Sequence, residues 1–295
     1  MAISALMVKE LRERTGAGMM ECKKALVAVD GDMDRAVEQL RTSGQAKADK
    51  KAGRIAADGK VVIAANGARA TLVEVNSETD FVAKDESFVA FVDAVAQSAL
   101  AGKVADVDAL SAATLDDGRT IETARTELVA KVGENISVRR LAQVESDDQL
   151  GSYTHGSRIG AVVAMSGGDA DLARDVAMHI AATNPVCIDE SGVPANTLER
   201  ERRIFSEQAA ESGKPPEIVE KMVTGRVAKF LKEITLVGQP FVKDPDLTIG
   251  KLLKNADATV TNFVRFEVGE GIEKKEENFA DEVMQQIKDS KKDSK

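Results

Sequence analysis

The sequence predicts an α+β protein assembled from several small units. Three observations predict it: three short amphipathic helical patterns in residues 1–43, a strand–strand–helix–helix–strand pattern that occurs twice, and two long amphipathic helical patterns that interrupt the second copy. In each copy the first two strands are joined by a turn short enough for antiparallel pairing. We therefore expect antiparallel sheets, each with helices on one face.

Residues 1–44 predict a three-helix bundle, because apolar residues recur there at three- and four-residue spacing. Asp32 is a suitable N-cap for the third helix, and Gly44 is a suitable residue to end it. Residues 45–60 are rich in Lys, Ala and Gly and predict a linker that is partly helical. So small a bundle is marginally stable alone, which favours a docking module attached to a larger core.

The first copy of the repeated pattern covers residues 61–146. It predicts strands at 61–65 and 70–76 joined by an Asn66-Gly67 hairpin turn, helices around Phe88 and near 120–131, and a closing strand at 136–144. Residues 102–119 are polar and predict a surface loop.

The second copy covers residues 147–184 and 243–271. It begins at Gly151 and turns at His155-Gly156, and it then predicts a strand at 158–165, helices at 171–182 and 249–255, and a strand at 259–268. Gly67-Ala68-Arg69 in the first copy compares with Gly156-Ser157-Arg158 in the second, which favours an internal duplication. Chance similarity of two small α+β units remains the alternative.

Residues 185–242 predict an inserted helical hairpin with its turn at 213–216, and residues 272–295 predict a C-terminal helical module. The apolar stripe of such a hairpin has to be covered, either by the hairpin's own second helix or by a partner chain. In the C-terminal module, Phe279, Val283 and Ile287 repeat at helical spacing before a polar tail.

The loop that follows the strand at 70–76 is polar except at Phe81, which stands beside Asp80. A strand-to-helix loop projects side chains from a rigid base, so these two residues are well placed to enter the surface of a partner. The alternative is that Phe81 folds back beneath its own helix, since Phe is often buried. Met20 poses a similar choice: beside Lys23 and Lys24 it suits an adaptable contact surface, and the alternative is that it fills a gap at the start of a helix. Met19 lies on the same face of that helix as Cys22.

Composition excludes several classes of function. The chain of 295 residues has a net charge of -9 and a pI near 5.1, which argues against a general nucleic-acid binder. It contains neither a secretory signal nor a long apolar stretch, so we expect no membrane association. Its two cysteines, Cys22 and Cys187, favour a reduced, cytoplasmic setting, and with His155 and His179 they lack the spacing of a metal site.

Catalytic signatures are also missing. The sequence has no phosphate-binding glycine motif, so we expect no nucleotide or other cofactor. Ser152 and His155 lie near Asp147 and Asp148, but residues of one turn-rich segment rarely converge as a triad. Glu78 and Asp80 lack a pocket signature for acid–base work, so we expect a binding protein that is not an enzyme.

Several segments carry a family resemblance. Residues 11–26 (LRERTGAGMMECKKAL) resemble the N-terminal signature of the translation elongation factor Ts family, and residues 74–83 (EVNSETDFVA) resemble its second signature. Similar stretches are Val132-Gly133-Glu134-Asn135, the segments 151–156 and 238–242, and the segment 265–271. The resemblance covers essentially the whole chain.

The resemblance implies a guanine nucleotide exchange factor that binds elongation factor Tu and promotes GDP release. It also implies that the N-terminal bundle is ubiquitin-associated-like and that the hairpin serves dimerisation, giving a homodimer or a 2:2 complex. It implies that Thr79, Asp80, Phe81 and Val82 reach the partner's magnesium site. The other partner-binding residues that it implies are Met19, Met20, Lys23, Lys51, Val132, Gly133, His155 and Val242. An adaptor or chaperone without exchange activity is the alternative.

Overall fold

The computed structural model describes residues 3–102, 104, 106–211 and 213–273, which form helices and antiparallel sheets as predicted. The chain begins with a three-helix bundle, α1 (Ala5–Thr15), α2 (Met19–Ala28) and α3 (Met33–Lys51). Leu11, Leu26 and Ala36 are fully buried at its centre. Asp32 caps α3 as predicted, accepting hydrogen bonds from the N–H groups of Asp34 and Arg35.

The third helix does not end at Gly44, and this part of the prediction is wrong. It continues to Lys51, so residues 45–51 of the expected linker are helical. Gly44 is buried in the middle of α3, where a Cβ atom would lie 3.6 Å from the Cβ of Ala130. This part of α3 packs on a helix of the core.

The first half of the core contains one three-stranded sheet and four helices. In chain order these are β1 (Asp58–Ala65), β2 (Arg69–Ser77), α4 (Asp80–Ala83), α5 (Glu86–Gly102), α6 (Val107–Ala112), α7 (Ile121–Val132) and β3 (Ile136–Glu145). The helix α6 corrects the prediction that residues 102–119 form a surface loop. Leu110 of α6 is fully buried against the first core, so apolar burial orders this segment.

The second half contains another three-stranded sheet and the helical hairpin. In chain order its elements are β4 (Gln149–His155), β5 (Ile159–Ser166), α8 (Ala170–Thr183), α9 (Ala195–Ala210), α10 (Pro216–Ile234), β6 (Pro240–Phe241), β7 (Asp244–Thr248), α11 (Ile249–Asn255) and β8 (Thr259–Glu267). The two large sheets have the orders β1-β2-β3 and β4-β5-β8, both antiparallel.

The two large sheets pack face to face. Leu72 of the first sheet and Val162 and Phe266 of the second share one buried cluster. The helices α5 and α7 cover the outer face of the first sheet, and α8 and α11 cover that of the second. The central strands are therefore buried on both faces, which explains why β2 is buried almost throughout.

The hairpin covers much of its apolar stripe with its own two helices. Val223, Val227 and Leu231 of α10 pack against Ala209 of α9, and the rings of Phe205 and Phe230 lie 6.4 Å apart. The predicted C-terminal helix lies, from residue 274 onward, outside the described residues. Among the residues that the structure does describe, none belongs to a helix long and apolar enough to cross a membrane.

Candidate functional site

The candidate site lies at the end of the two sheets where β2 ends. In the sheet register Asp58 pairs with Ser77, and Ser77 pairs with Ile136, so β1 and β3 both begin where β2 finishes. Residues 78–85 leave this edge and form the single helical turn α4 before α5 begins. We call residues 78–85 the presenting loop.

Phe81 of the presenting loop is 81% exposed, whereas the adjacent Val82 is only 8% exposed and belongs to the first core. The interpretation that Phe81 folds back beneath its helix is therefore wrong. Val82 anchors the turn in the core, and the turn directs Phe81 outward. An exposed aromatic ring on an anchored turn can be buried by a partner without reorganisation of the loop.

Two pairs of hydrogen-bonding residues brace the base of the presenting loop. Glu134 accepts hydrogen bonds from the backbone N–H of Thr79 at 3.0 Å and from its hydroxyl at 2.7 Å. Glu78 accepts a hydrogen bond from the backbone N–H of Asn135 at 2.6 Å. The Asn135 side chain in turn donates to the carbonyl oxygen of Arg54 at 2.8 Å. The loops at 78–79 and 134–135 thus hold each other in place.

Asp80 forms an ion pair with Lys84, one turn later in the chain, at 2.6 Å. The hydrogen bond from Lys84 holds the pKa of the Asp80 carboxyl below its usual value. Asp80 is therefore charged at neutral pH. Its exposed carboxylate lies beside the exposed ring of Phe81, so the loop presents a negative charge and an apolar group together.

The helix α3 brings the bundle to the same site. Lys47 and Lys51 lie one turn apart on α3, where Lys47 pairs with Glu21 of α2 and Lys51 donates to the carbonyl oxygen of Gly133. The start of α2 and the loop after α7 therefore line one face of α3. Met19 and Met20 at this start are 60% and 65% exposed.

The exposure of both methionines means that neither fills the bundle core. Lys23 and Gly133 are likewise exposed, while Val132 is half-buried and packs against the first core. The structure thus brings the predicted residues of the bundle, the 132–133 loop and the presenting loop to one region.

His155 is the exposed last residue of β4, next to the turn that leads into β5. The turn lies at the same end of the core as the presenting loop, because Arg158 forms a 3.1 Å ion pair with Asp58, the register partner of Ser77. The ring nitrogen Nδ1 of His155 lies 3.4 Å from the Tyr153 hydroxyl, and Asp148 accepts a hydrogen bond from Gly167. Neither Asp148 nor Ser152 forms a hydrogen bond with His155.

Val242 is 41% exposed in the turn between β6 and β7. Its backbone N–H donates to Nδ1 of the fully buried His179 at 3.3 Å, and Nε2 of that ring lies 3.0 Å from Oε1 of Gln239. Burial lowers the pKa of His179, and the hydrogen bond to Gln239 only partly opposes this effect. A neutral ring that donates through Nε2 and accepts through Nδ1 fits these contacts and fixes the Val242 turn.

Sequence reasoning missed the supporting side chains Glu134, Asn135 and His179. Glu134 and Asn135 stand in one of the resembling segments, but their contacts join residues far apart in the chain. Glu78 drew attention as a partner of Asp80 for acid–base work, whereas its carboxylate braces Asn135. The sequence offered one signal for Glu134: its carboxylate lies just before the predicted start of a strand, at residue 136.

Comparisons with known proteins find relatives that match almost the whole chain. The family model described as "Elongation factor TS" matches residues 78–270. The curated Elongation factor Ts of Thioalkalivibrio sulfidiphilus is 63% identical over 292 residues, which cover 98% of this chain and 99% of that protein. This chain belongs to the elongation factor Ts family.

Two further members of the elongation factor Ts family show the same extent of similarity. The protein of Alkalilimnicola ehrlichii is 61% identical over 295 residues, and that of Methylococcus capsulatus is 58% identical over 293 residues. Each alignment covers 98% of this chain and 100% of the relative. The family resemblance inferred from the sequence motifs is confirmed, and it places the chain among the elongation factors of protein biosynthesis.

Proposed function

We propose that this chain is a guanine nucleotide exchange factor for elongation factor Tu and that the presenting loop carries the activity. The observation that supports the loop's role is the 81% exposure of Phe81 on a turn anchored by Val82 and braced by Glu134. Membership of the elongation factor Ts family supports the choice of partner.

In this mechanism Phe81 enters the nucleotide-binding domain of the partner and brings the Asp80 carboxylate near the magnesium and phosphate-binding region. Displacement of the groups that hold magnesium and the GDP phosphates weakens the binding of GDP to the partner. By binding linkage, a factor that binds the nucleotide-free partner more tightly than the GDP-bound partner lowers the partner's affinity for GDP by the same ratio. A coupling free energy of about 3 kcal/mol corresponds to a ratio of roughly 150. This chain makes and breaks no covalent bond in the process.

The remaining predicted contact residues extend the interface around the loop. Met19, Met20 and Lys23 of the bundle, together with Lys51, Val132 and Gly133, lie around the same face of α3 and support contact with the nucleotide-binding domain. Val242, from the second half of the core, also supports contact with that domain, whereas His155 lies on the part of the core that contacts a more distant domain of the partner. An interface of this kind binds both the GDP-bound and the nucleotide-free partner.

The helical hairpin has a separate proposed role in dimerisation. Its helices leave Ile218 46% exposed after packing on each other, which gives a second copy an apolar contact. Light scattering of the native chain and of the Ile218→Glu variant measures the molar mass in solution and so tests this role. Dimers in the native chain and monomers in the variant support dimerisation, whereas monomers in both contradict it.

The experiment that tests the exchange function is release of a fluorescent GDP analogue from elongation factor Tu with substoichiometric amounts of this chain. The native chain should accelerate release over multiple turnovers, and Phe81→Ala should lose most of the acceleration. Val186→Ala, which truncates another exposed apolar side chain in the second half, serves as the matched control. A stable complex without accelerated release would favour the alternative, an adaptor or chaperone.

A further inference from the structure

Glu134 holds Thr79 by both of its carboxylate oxygens. Oε2 accepts the backbone N–H of Thr79 at 3.0 Å, and Oε1 accepts the Thr79 hydroxyl proton at 2.7 Å. The two residues lie in different loops, one after β2 and one between α7 and β3. Hydrogen bonds to a charged acceptor are roughly twice as strong as those between neutral groups, so this contact fixes Thr79 firmly.

Thr79 is the N-cap of the helical turn α4. Its extended backbone begins the turn, and its hydroxyl oxygen accepts from the N–H of Val82 at 3.4 Å. A single turn of four residues has no stability of its own, because helix nucleation is unfavourable. The direction of Phe81 therefore depends on the groups that hold the cap and on the burial of Val82.

The carboxylate of Glu134 is not neutralised by a cation in the part of the chain that the structure describes, since its hydrogen bonds are those to Thr79. The side chain is half-buried, and partial burial of an unpaired charge opposes folding unless hydrogen bonds compensate. The neighbouring residue Asn135 makes the second bracing contact, in which its backbone N–H donates a hydrogen bond to Glu78. Glu78 thus fixes the end of the strand, whereas Glu134 fixes the turn that carries Asp80 and Phe81.

We propose that Glu134 is a positioning residue for nucleotide exchange, which sets the orientation of Asp80 and Phe81 before the partner is met. This inference rests on the proposed exchange function. A braced loop binds more tightly than a mobile one, because only the fraction of loops in the competent orientation contributes to binding. Loss of two charge-assisted hydrogen bonds should reduce that fraction by about tenfold.

The orientation of the loop can be measured without the partner, because the native chain contains no Trp. Phe81→Trp introduces a single tryptophan at the exposed position, and its fluorescence can be excited without that of Tyr153. Adding Glu134→Ala to this variant should lower the fluorescence anisotropy, because the turn moves more freely. Adding Glu86→Ala instead should leave it unchanged, since Glu86 is an exposed carboxylate of the next helix that makes no hydrogen bond or ion pair within the described residues. Equal anisotropy in all three proteins would overturn the proposal.

The consequence for exchange is tested by a double-mutant cycle on GDP release from elongation factor Tu. Glu134→Ala should lower the efficiency of exchange about tenfold. Glu134→Gln, which keeps an acceptor for the Thr79 N–H, should lower it less. In the Phe81→Ala background Glu134→Ala should have little further effect, because a residue that acts through Phe81 loses its role when Phe81 is removed.

The outcomes separate this inference from the proposed function. If the native chain accelerates GDP release and Phe81→Ala does not, but Glu134→Ala remains fully active, only the positioning role is overturned. An equal loss from Glu134→Ala with and without Phe81 would also overturn it, since Glu134 would then act independently of the loop. If the native chain fails to accelerate release, both are overturned. Thr79→Val, which removes the hydroxyl and keeps the volume, replaces Glu134→Ala if that variant does not fold.

Discussion

The carboxylate of Glu74 in β2 accepts a hydrogen bond from the backbone N–H of Gly269, which follows β8, at 2.8 Å. The contact joins the two halves of the core. Arg139 and Arg140 of β3 also donate to Glu74, at 3.0 Å and 2.5 Å, and the Asn76 side chain donates to it at 3.0 Å. Burial by itself raises the pKa of Glu74, but the hydrogen bonds outweigh it, so the pKa lies below the usual value and the group is charged.

Glu74→Ala should lower the free energy of unfolding by about 3 to 5 kcal/mol, because it leaves two arginine side chains without their buried partner. Urea unfolding at neutral pH measures the loss. The matched control is Glu145→Ala, which breaks a 2.7 Å ion pair with Arg69 where the Glu145 side chain is 64% exposed. That change should cost less than about 1 kcal/mol. Equal costs at both positions would show that the buried cluster has no special stabilising role.

The alternating apolar pattern of β2 places Glu74 on the same face of the strand as Leu72, and that much could be read from the sequence. The sequence could not show that this face is covered by a second sheet, because Val162 and Phe266 lie far along the chain. Glu74, the charged residue on this face, is therefore fully buried. The strand itself is correctly predicted, since β2 extends from Arg69 to Ser77 against the predicted 70–76.

Contacts between residues far apart in the chain also explain the other differences between the predicted and the observed structure. Gly44 carries a helix-ending signal, but packing of α3 against α7 stabilises the continued helix, and this packing joins residues far apart in the chain. The presenting loop could be located from the strand that precedes it and the helix that follows. Its exposed ring could not be distinguished from a buried one, because the burial of Val82 and the brace from Glu134 decide the direction of Phe81.

Mild acid should destabilise the protein through His179. Burial lowers the pKa of His179 in the folded state, whereas the unfolded chain has a pKa of about 6.5. Between these two values the unfolded state binds more protons, so the free energy of unfolding falls as the pH drops below about 6.5 and becomes level below the folded pKa.

Urea unfolding at about pH 7.5 and about pH 5.5 measures this effect. His179→Asn should weaken the fold at both values but reduce the difference between them. His155→Gln provides the control, since His155 is the only other histidine and is exposed. The assignment to His179 fails if His155→Gln removes the pH dependence and His179→Asn retains it.

Two glycines of the second half should respond to alanine in opposite directions. A Cβ atom at Gly151 in β4 would lie 2.2 Å from the carbonyl oxygen of Ala173, so Gly151→Ala forces α8 away from the sheet. We expect a loss of at least about 2 kcal/mol. A Cβ atom at Gly225 in α10 meets nothing within 4 Å, so Gly225→Ala should stabilise the helix by about 0.5 to 1 kcal/mol. Thermal unfolding of both variants measures the contrast, and a similar loss at both positions would contradict the close approach of β4 and α8.

Two phenylalanines seven residues apart should separate stability from function. Phe88 of α5 is fully buried in the first core, whereas Phe81 is 81% exposed. Phe88→Ala should lower the free energy of unfolding by about 3 to 5 kcal/mol, because it opens a cavity. Phe81→Ala should change it by no more than about 0.5 kcal/mol, as expected of an exposed side chain.

Urea unfolding of both variants should be paired with the GDP-release assay on the same preparations. For Phe81→Ala we expect native stability with lost exchange activity. For Phe88→Ala we expect reduced stability, with exchange activity retained by the fraction of molecules that remains folded. If Phe81→Ala instead unfolded as readily as Phe88→Ala, the ring would contribute to the core, and an exposed Phe81 would no longer explain the activity of the presenting loop.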